Sequence, residues 1–351
     1  MIVLRFRLVW FDSMGAKSSC TYVSTRSVKL IIDPGIAIMH GTFPASYEMK
    51  VEWLNKGYLE IVKYLRKASH VVISHYHYDH YLPDDIELYG GKVLFVKNPN
   101  IYINDNQRER ALRFFDKLYK RYFETALEDI LLEHEELTFT NPLDELPHSM
   151  SLDLGNYNER RWELFEKGLK WFKNRVNKWN GSKFVPELRG ESIEVFFAEN
   201  RTFKIGNTEI RFTKPIFHGI EFSRVGWVFM TIITEGKKKL IHTSDINGPI
   251  IEDYADLIIR EDPDILILDG PMTYMLGYTM NLINLRRVIK NIIRIIENTK
   301  ANPIILDHHL PREKKFKERL SDVYKTAESL GKDVITAAEY YGREPVVLTA
   351  F

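Results

Sequence analysis

Residues 74–80 read Ser74-His75-Tyr76-His77-Tyr78-Asp79-His80 and follow directly on the apolar run Val71-Val72-Ile73. Three imidazoles and a carboxylate within six positions form a ligand set suited to zinc, iron or manganese. The apolar run reads as a buried strand that delivers the segment. On an extended backbone His75 and His77 share one direction. A turn or helix start after Tyr78 then aims Asp79 and His80 at a second point, so that one loop can serve two ions. The plain alternative is a histidine-rich surface loop that binds nothing.

Working outward, strands are expected over 3–9, 21–24 and 28–32, the last ending at the turn Asp33-Pro34-Gly35. A helix fits 47–67 and a strand 92–96. The texture turns helical between about 101 and 185. One helix is read over 107–131, with Ala111, Phe115, Leu118 and Tyr122 on one face. A second covers 159–179, where Trp162, Phe165, Leu169, Phe172, Val176 and Trp179 recur at steps of three and four. That aromatic stripe reads as core. Lys167, Lys170, Lys173, Arg175 and Lys178 read as a solvated face. An acidic loop over 133–145 separates the two helices. Strand texture returns over 193–198, in a hairpin turning at Gly206-Asn207, and over 225–233, 239–242, 265–268 and 304–306. A helix lies over 282–296. Strands with helices interspersed in both halves predict sheets covered by helices, with the stretch 101–185 inserted into one domain spanning 1–351.

At 351 residues and 44% hydrophobic composition the chain can bury a substantial core. Its net charge of +1 does not indicate a field that gathers nucleic acid, so the expected partner is a small-molecule or phosphodiester substrate. Cys20 is the single cysteine, which excludes an internal disulfide. Arg5 and Arg7 interrupt the N-terminal apolar residues, and no apolar run approaches membrane-spanning length. No membrane association and a cytoplasmic location are the expectations; the sequence is silent on oligomeric state.

The pattern His-x-His-x-Asp-His after a buried strand resembles the metallo-β-lactamase superfamily. Together with Leu306-Asp307-His308-His309-Leu310 it resembles a mainly archaeal branch of it. The resemblance runs from the N-terminal strands and Asp33-Pro34-Gly35 through the LDHHL stretch, most of the chain. It implies an α/β fold (α+β by some schemes), a four-layered αβ/βα sandwich with metals at one sheet edge and here a helical insertion. It also implies an order for the remaining ligands. His218, before the 225–233 strand, takes the place of the third histidine. Asp245, at the end of Leu240-Ile241-His242-Thr243-Ser244-Asp245, takes that of the bridging aspartate, with a helix cap as its alternative. His242 reads as structural. His308 is favoured as the last ligand and His309 as facing substrate, and the two roles can be exchanged. One site then holds His75, His77 and His218, the other Asp79, His80 and His308, with Asp245 between them. Two divalent cations are implied, zinc first, with iron or manganese as alternatives. Asp33 is read as a carboxylate behind a ligand histidine, or else a turn residue. Asp269 is read as orienting a histidine, Tyr274 as reaching the substrate and Arg312 as binding an anionic group. Each of these also has a plain structural reading.

Two adjacent cations can hold a bridging water and bring its pKa from about 16 to near neutrality, and the hydroxide then attacks a carbonyl or phosphoryl centre. Asp79 and Asp245 are the carboxylates expected to take part. The expectation is a metal-dependent hydrolase of phosphodiesters. A lactonase or thioesterase acting on a small ester is the first alternative, and a non-catalytic metal-binding protein the second.

Overall fold

The computed structural model describes residues 4–350, so Val3 of the strand read over 3–9 lies outside the described residues. Strands β1 (Arg5–Phe11), β2 (Ser19–Ser24), β3 (Lys29–Ile32), β4 (His70–Ile73), β5 (Lys92–Val96), β6 (Leu188–Gly190) and β7 (Ile193–Phe197) form one sheet in the order β1-β2-β3-β4-β5-β7-β6. Strands β8 (Thr202–Ile205) and β9 (Thr208–Phe212) open a second. A two-stranded hairpin of β10 (Ile216–Phe217) and β11 (Trp227–Val228) follows. Then come β12 (Thr231–Glu235), β13 (Lys238–His242), β14 (Ile265–Asp269), β15 (Ile304–Asp307) and β16 (Val334–Ile335). The second sheet runs β16-β15-β14-β13-β12-β9-β8. Each sheet has a run of parallel strands: β3, β4, β5 and β7 in the first, β13 to the edge strand β16 in the second.

Parallel strands buried on both faces explain the unbroken apolar runs. Leu30, Ile32, Val72 and Phe95 face Ile233, Leu240, Ile267 and Ile305 across the space between the sheets. Their neighbours Ile31, Val71, Ile73, Leu94, Ile241, Leu266 and Leu268 turn outward into the helix layers. Each such side chain contributes about 1.5–3 kcal/mol on burial. The larger helices are α1 (Tyr47–Lys67), α2 (Asp105–Phe123), the short α3 (Pro147–Ser151), α4 (Asn158–Asn180), α5 (Glu252–Glu261) and α6 (Leu282–Asn298). Helix α1, capped by Ser46 accepting from the Met49 N–H at 3.2 Å, packs on β1 and β3. Helices α5 and α6 pack together over the second sheet, α6 burying Leu285, Val288, Ile292, Ile295 and Ile296. The result is the four-layered αβ/βα sandwich. Among the described residues no helix is long and apolar enough to cross a membrane.

Two boundaries differ from the sequence reading. The helix expected over 107–131 stops at Phe123. Glu124 turns left-handed (φ 52°) and the chain folds back, its Leu127 N–H donating to the Asp116 carboxylate of the same helix at 3.3 Å. The strand expected over 225–233 is divided. Val228 pairs with Ile216, whereas Thr231 already pairs with Phe212 and His242 in the second sheet. The bend at Met230, whose N–H donates to Thr213 Oγ1 at 3.0 Å, leaves no mark in a continuous apolar run.

Helix α4 buries Phe165, Phe172 and Trp179, and the Trp179 indole donates to the Ile103 carbonyl at 3.0 Å. Trp162, read with the same stripe, is 54% exposed instead. Arg175 and Lys178 pair with Asp105, clamping α4 to α2. A buried polar knot then fastens this helical segment to the rest of the molecule. Glu221 Oε1, three residues beyond His218, accepts from Ser149 Oγ of α3 at 2.5 Å, Arg161 of α4 at 3.0 Å and Arg287 of α6 at 2.7 Å. Arg287 also pairs with Glu252 of α5 at 2.7 Å. Burial raises the Glu221 pKa, but Arg287, Ser149 and Arg161 together outweigh it and bring it down to about 2.

Replacing Glu221 by Gln leaves two buried guanidinium groups short of a counter-charge, and we expect a loss of about 3–5 kcal/mol in urea unfolding at neutral pH. The carboxylate stabilises the fold above its ordinary pKa of 4.5, and that contribution disappears as pH falls toward about 2. The gap between wild type and variant should therefore narrow on acidification. A gap that stays constant between pH 7 and pH 3 would mean that the knot does not depend on this charge.

Candidate metal centre

The site lies where strands from both sheets end. At the end of β3, Asp33 takes a left-handed conformation (φ 49°) and turns its carboxylate toward the neighbouring strand β4. It accepts from the Ser74 N–H at 2.8 Å and the Ser74 hydroxyl at 2.7 Å, and its Oδ2 lies 3.0 Å from His80 Nδ1. That bond leaves His80 Nε2 facing the centre. Two residues on, Gly35 sits so close to the motif that a Cβ there would come within 2.1 Å of the Tyr81 nitrogen and 2.3 Å of the His80 nitrogen. The turn can support the metal motif only with glycine at this position.

His75 Nδ1 is 3.1 Å from Ser74 Oγ, which turns its Nε2 inward, 3.0 Å from His77 Nδ1. Between them Tyr76 points the opposite way and donates its hydroxyl to the Lys97 carbonyl at 2.6 Å. Gln107 of α2 braces the loop: its Oε1 accepts from the Tyr76 N–H at 3.2 Å and its Nε2 lies 3.4 Å from His77 Nε2. Helix α2 thus borders the site directly. His218 follows β10, and Gly219 behind it (φ 93°) makes the turn.

Asp245 arrives from β13 through the left-handed Ser244 (φ 55°), whose hydroxyl donates to Ser74 Oγ at 2.6 Å. Asp245 Oδ2 lies 3.5 Å from His75 Nε2, 3.2 Å from His80 Nε2 and 3.3 Å from His218 Nε2. Its Oδ1 lies 3.3 Å from His308 Nε2. Among the described residues it caps no helix, since α5 begins beyond Ile251. Donor atoms gather into three groups: His75, His77, His218 and Asp245; Asp79, His80 and His308; and Asp245, His308 and His309. These groups could hold metal ions.

On an extended chain His308 and His309 would point to opposite faces. The structure corrects that expectation. His308 is left-handed (φ 58°), so both rings turn to the same centre with centroids 4.3 Å apart. Each has its own carboxylate behind it. Asp12 Oδ1 is 3.0 Å from His308 Nδ1, and Asp269 Oδ1 is 2.8 Å from His309 Nδ1. The two are not equivalent. His308 Nε2 stands between Asp245 and Asp79, the latter at 3.9 Å, whereas His309 Nε2 is 4.0 Å from Asp245 alone.

The donor set fits a cation. Among the described residues, the buried His80 Nε2, both His218 nitrogens, Asp245 Oδ1 and His308 Nε2 have no hydrogen-bond partner. Leaving such groups unpaired is expensive, and they cluster on one point. Burial opposes charge on His80, yet the Asp245 and Asp33 carboxylates push its pKa up to about 10. Burial likewise opposes charge on His308, and Asp12 and Asp245 raise it well above the usual imidazole range. Asp79, despite burial, is brought down to about 2 by His80 and His308. The site therefore demands positive charge, and metal ions can displace protons to supply it.

All seven residues read as ligands, His75, His77, Asp79, His80, His218, Asp245 and His308, meet here, and His309 joins them. Asp33 and Asp269 stand behind His80 and His309. Arg312 and Tyr274 lie to one side, bonded to each other at 2.9 Å. His242 is turned away, its Nε2 2.9 Å from the Ser19 carbonyl. Asp12 and Gln107 escape a sequence reading. Asp12 lies 296 positions from the ring it orients, and neither belongs to a local pattern.

No family model matches the chain. Among solved structures the chain is similar to the metallo-β-lactamase fold protein YhfI of Bacillus subtilis, with 14% identity, a TM-score of 0.44 and 95% of each chain covered. It is also similar to the short form of human tRNase Z, with 10% identity, a TM-score of 0.37, and 88% of this chain and 91% of that one covered. A UPF0282 protein of Korarchaeum cryptofilum is 29% identical over 97% of this chain and 90% of its own length. The UPF0282 protein MJ1629 of Methanocaldococcus jannaschii is 32% identical over 97% of this chain and 92% of its own length. With that identity carried along nearly the whole of both chains, the protein belongs to the UPF0282 family of archaeal proteins.

Proposed function

We propose that the protein is a hydrolase of phosphodiesters that works with two divalent cations, zinc first. The observation that carries the reading is Asp245. Its two oxygens reach histidines of both donor groups, which is how a single carboxylate spans a cation pair. His75, His77 and His218 would hold one ion, and Asp79, His80 and His308 the other. Cations so placed would supply Lewis acidity to the phosphoryl oxygens and acidify water at the centre.

The protein's own groups do the rest. Asp33 and Asp12 fix the inward faces of His80 and His308, so no ring has to reorient when charge develops. Asp79, with a side chain 15% exposed, is the ligand on the open side. His309 is set to serve the leaving oxygen. Burial, then the Asp245 charge, pushes the Asp269 carboxyl up to about 8, while burial, then Arg312, holds the His309 ring well below the usual imidazole range. With the proton of the Asp269 carboxyl donated toward His309 Nδ1, the neutral ring carries its own proton on Nε2 and can pass it to the leaving oxygen while Nδ1 takes up the one from Asp269.

The metal-reconstituted protein should carry two ions per chain by elemental analysis. It should cleave bis-p-nitrophenyl phosphate with kcat/KM at least about tenfold above that for p-nitrophenyl acetate or simple lactones. Preference for the carboxylic esters would replace the phosphodiester assignment. Trace metal after reconstitution would remove the metal-dependent reading altogether. Asp245→Ala should lose at least one ion together with turnover.

The two adjacent histidines separate in the same assays. His308→Ala should lose an ion, and Asp12→Asn should weaken its affinity about 10- to 100-fold. His309→Ala should keep both ions and lower kcat. Loss of metal from the His309 variant, with retention in the His308 variant, would exchange the two roles.

A further inference from the structure

Beside the Asp79–His80–His308 group lies a set of positive and hydrogen-bonding side chains that metal binding does not use. Arg312, 5% exposed, directs its Nε to Asp12 Oδ2 and its Nη1 to the Tyr274 hydroxyl at 2.9 Å. Its Nη2 is buried and has no partner among the described residues. The guanidinium also stands 5.5 Å from the centroid of the Tyr274 ring. Against the same ring stacks His40, centroids 5.1 Å apart and nearly parallel. His40 Nδ1 is engaged by the Thr42 hydroxyl at 2.7 Å, while its Nε2 is buried and unpaired among the described residues. Lys50 holds this loop in place by donating to the His40 and Gly41 carbonyls at 3.0 and 3.1 Å.

The third member is Lys17. Its backbone pairs with Ala37, the two exchanging bonds at 2.8 and 3.0 Å, which ties it to the strand end that leads into His40. The half-buried Lys17 ammonium makes no hydrogen bond or ion pair among the described residues. Asp12 cannot serve it. One Asp12 oxygen is taken by His308 and the Ser18 N–H, and the other by Arg312. Ser18, next in the chain, donates its N–H to the same Asp12 carboxylate that holds Arg312, which brings Lys17 to the Arg312 side of the site. Burial and the neighbouring Arg312 both disfavour charge on Lys17, while Asp79 and Asp12 favour it. His40 feels burial and then both cations, and is held down to about 4, so it is neutral near pH 7. In the tautomer in which Nδ1 accepts from the Thr42 hydroxyl, Nε2 carries the ring proton and is a free hydrogen-bond donor.

We propose that Lys17, Arg312 and His40 form an anion subsite that takes a terminal phosphate of the substrate, next to the scissile phosphodiester. Two cationic donors and one neutral donor suit a doubly charged tetrahedral oxyanion, and an arginine with one edge fixed by Asp12 and Tyr274 is pre-organised for it. A buried, unpaired guanidinium nitrogen is relieved by such a ligand. The subsite rests on the phosphodiesterase reading for its catalytic consequence only; anion binding stands without it.

The test uses the full-length, metal-loaded protein. Crystals soaked in selenate should show an anomalous peak within hydrogen-bond reach of Arg312 Nη2 and Lys17 Nζ. Water alone in that position, or selenate only at the metals, overturns the subsite. In calorimetry, Lys17→Met should bind inorganic phosphate about tenfold more weakly than wild type, with metal content retained, and Lys17→Arg should recover most of the loss. Equal loss for acetate would assign the subsite to carboxylates and overturn the phosphate assignment. For turnover, a thymidine dinucleotide with a terminal phosphate should exceed the same dinucleotide without it by about tenfold in kcat/KM, and Lys17→Met should bring that ratio close to one. A ratio unchanged by the substitution overturns the proposal. If neither dinucleotide is cleaved, the phosphodiesterase reading fails, and the selenate and phosphate measurements still decide the subsite.

Discussion

Asp245 is 1% exposed and its two oxygens sit among the Nε2 atoms of His75, His80, His218 and His308. A carboxylate removed from water loses several kcal/mol of solvation, which only nearby positive charge restores. In the protein alone that charge comes from protons on His80 and His308; in the proposed enzyme it comes from two cations. Either way the carboxylate sets where the surrounding strands must end and which way their last side chains must face.

The strands meet that demand by a common device. Asp33, Ser244 and His308 all adopt left-handed backbone conformations where β3, β13 and β15 hand over to the site. Such conformations are uncommon for residues with a Cβ, and they persist where the surroundings over-determine them. Here each is held by bonds that also position the site: Asp33 by Ser74 and His80, Ser244 by Ser74, His308 by Asp12. Because the same carboxylates that orient the rings also pin the backbone, ring orientation and strand ends form one rigid unit.

The helical segment of α2 to α4 is tied to this unit from two directions. Gln107 touches the His75–His80 loop, and Glu221 joins α3, α4 and α6 just beyond His218. A helical segment fastened by buried ion pairs on the far side of one ligand and by an amide on the near side of another is placed to shape what enters the centre. Beyond Asp12, Arg312 and His40 lie against the Tyr274 ring, and each keeps one buried nitrogen unpaired among the described residues.

What the sequence by itself determined is what neighbouring residues can encode. The apolar run before His75 and the spacing His75, His77, Asp79, His80 were legible because a strand followed by a turn is a local property. The unbroken runs at 265–268 and 304–306 read as buried strands for the same reason. The resemblance then ordered His218, Asp245 and His308 along the chain. Contacts across the sheets were not legible. Asp12 meets His308 only because strands from opposite ends of the chain finish at one edge, and nothing near residue 12 announces a histidine near residue 308. The facing of His308 and His309 depended on a single left-handed φ, which the order of residues does not reveal. The division of 225–233 into β11 and β12 hinged on a bond from Met230 to Thr213, a residue just beyond β9. The candidate donors of residues 75–80 follow from short-range chemistry. Ligand orientation was decided by tertiary structure, because it is set by hydrogen-bond partners that only the packing of the two sheets brings within reach.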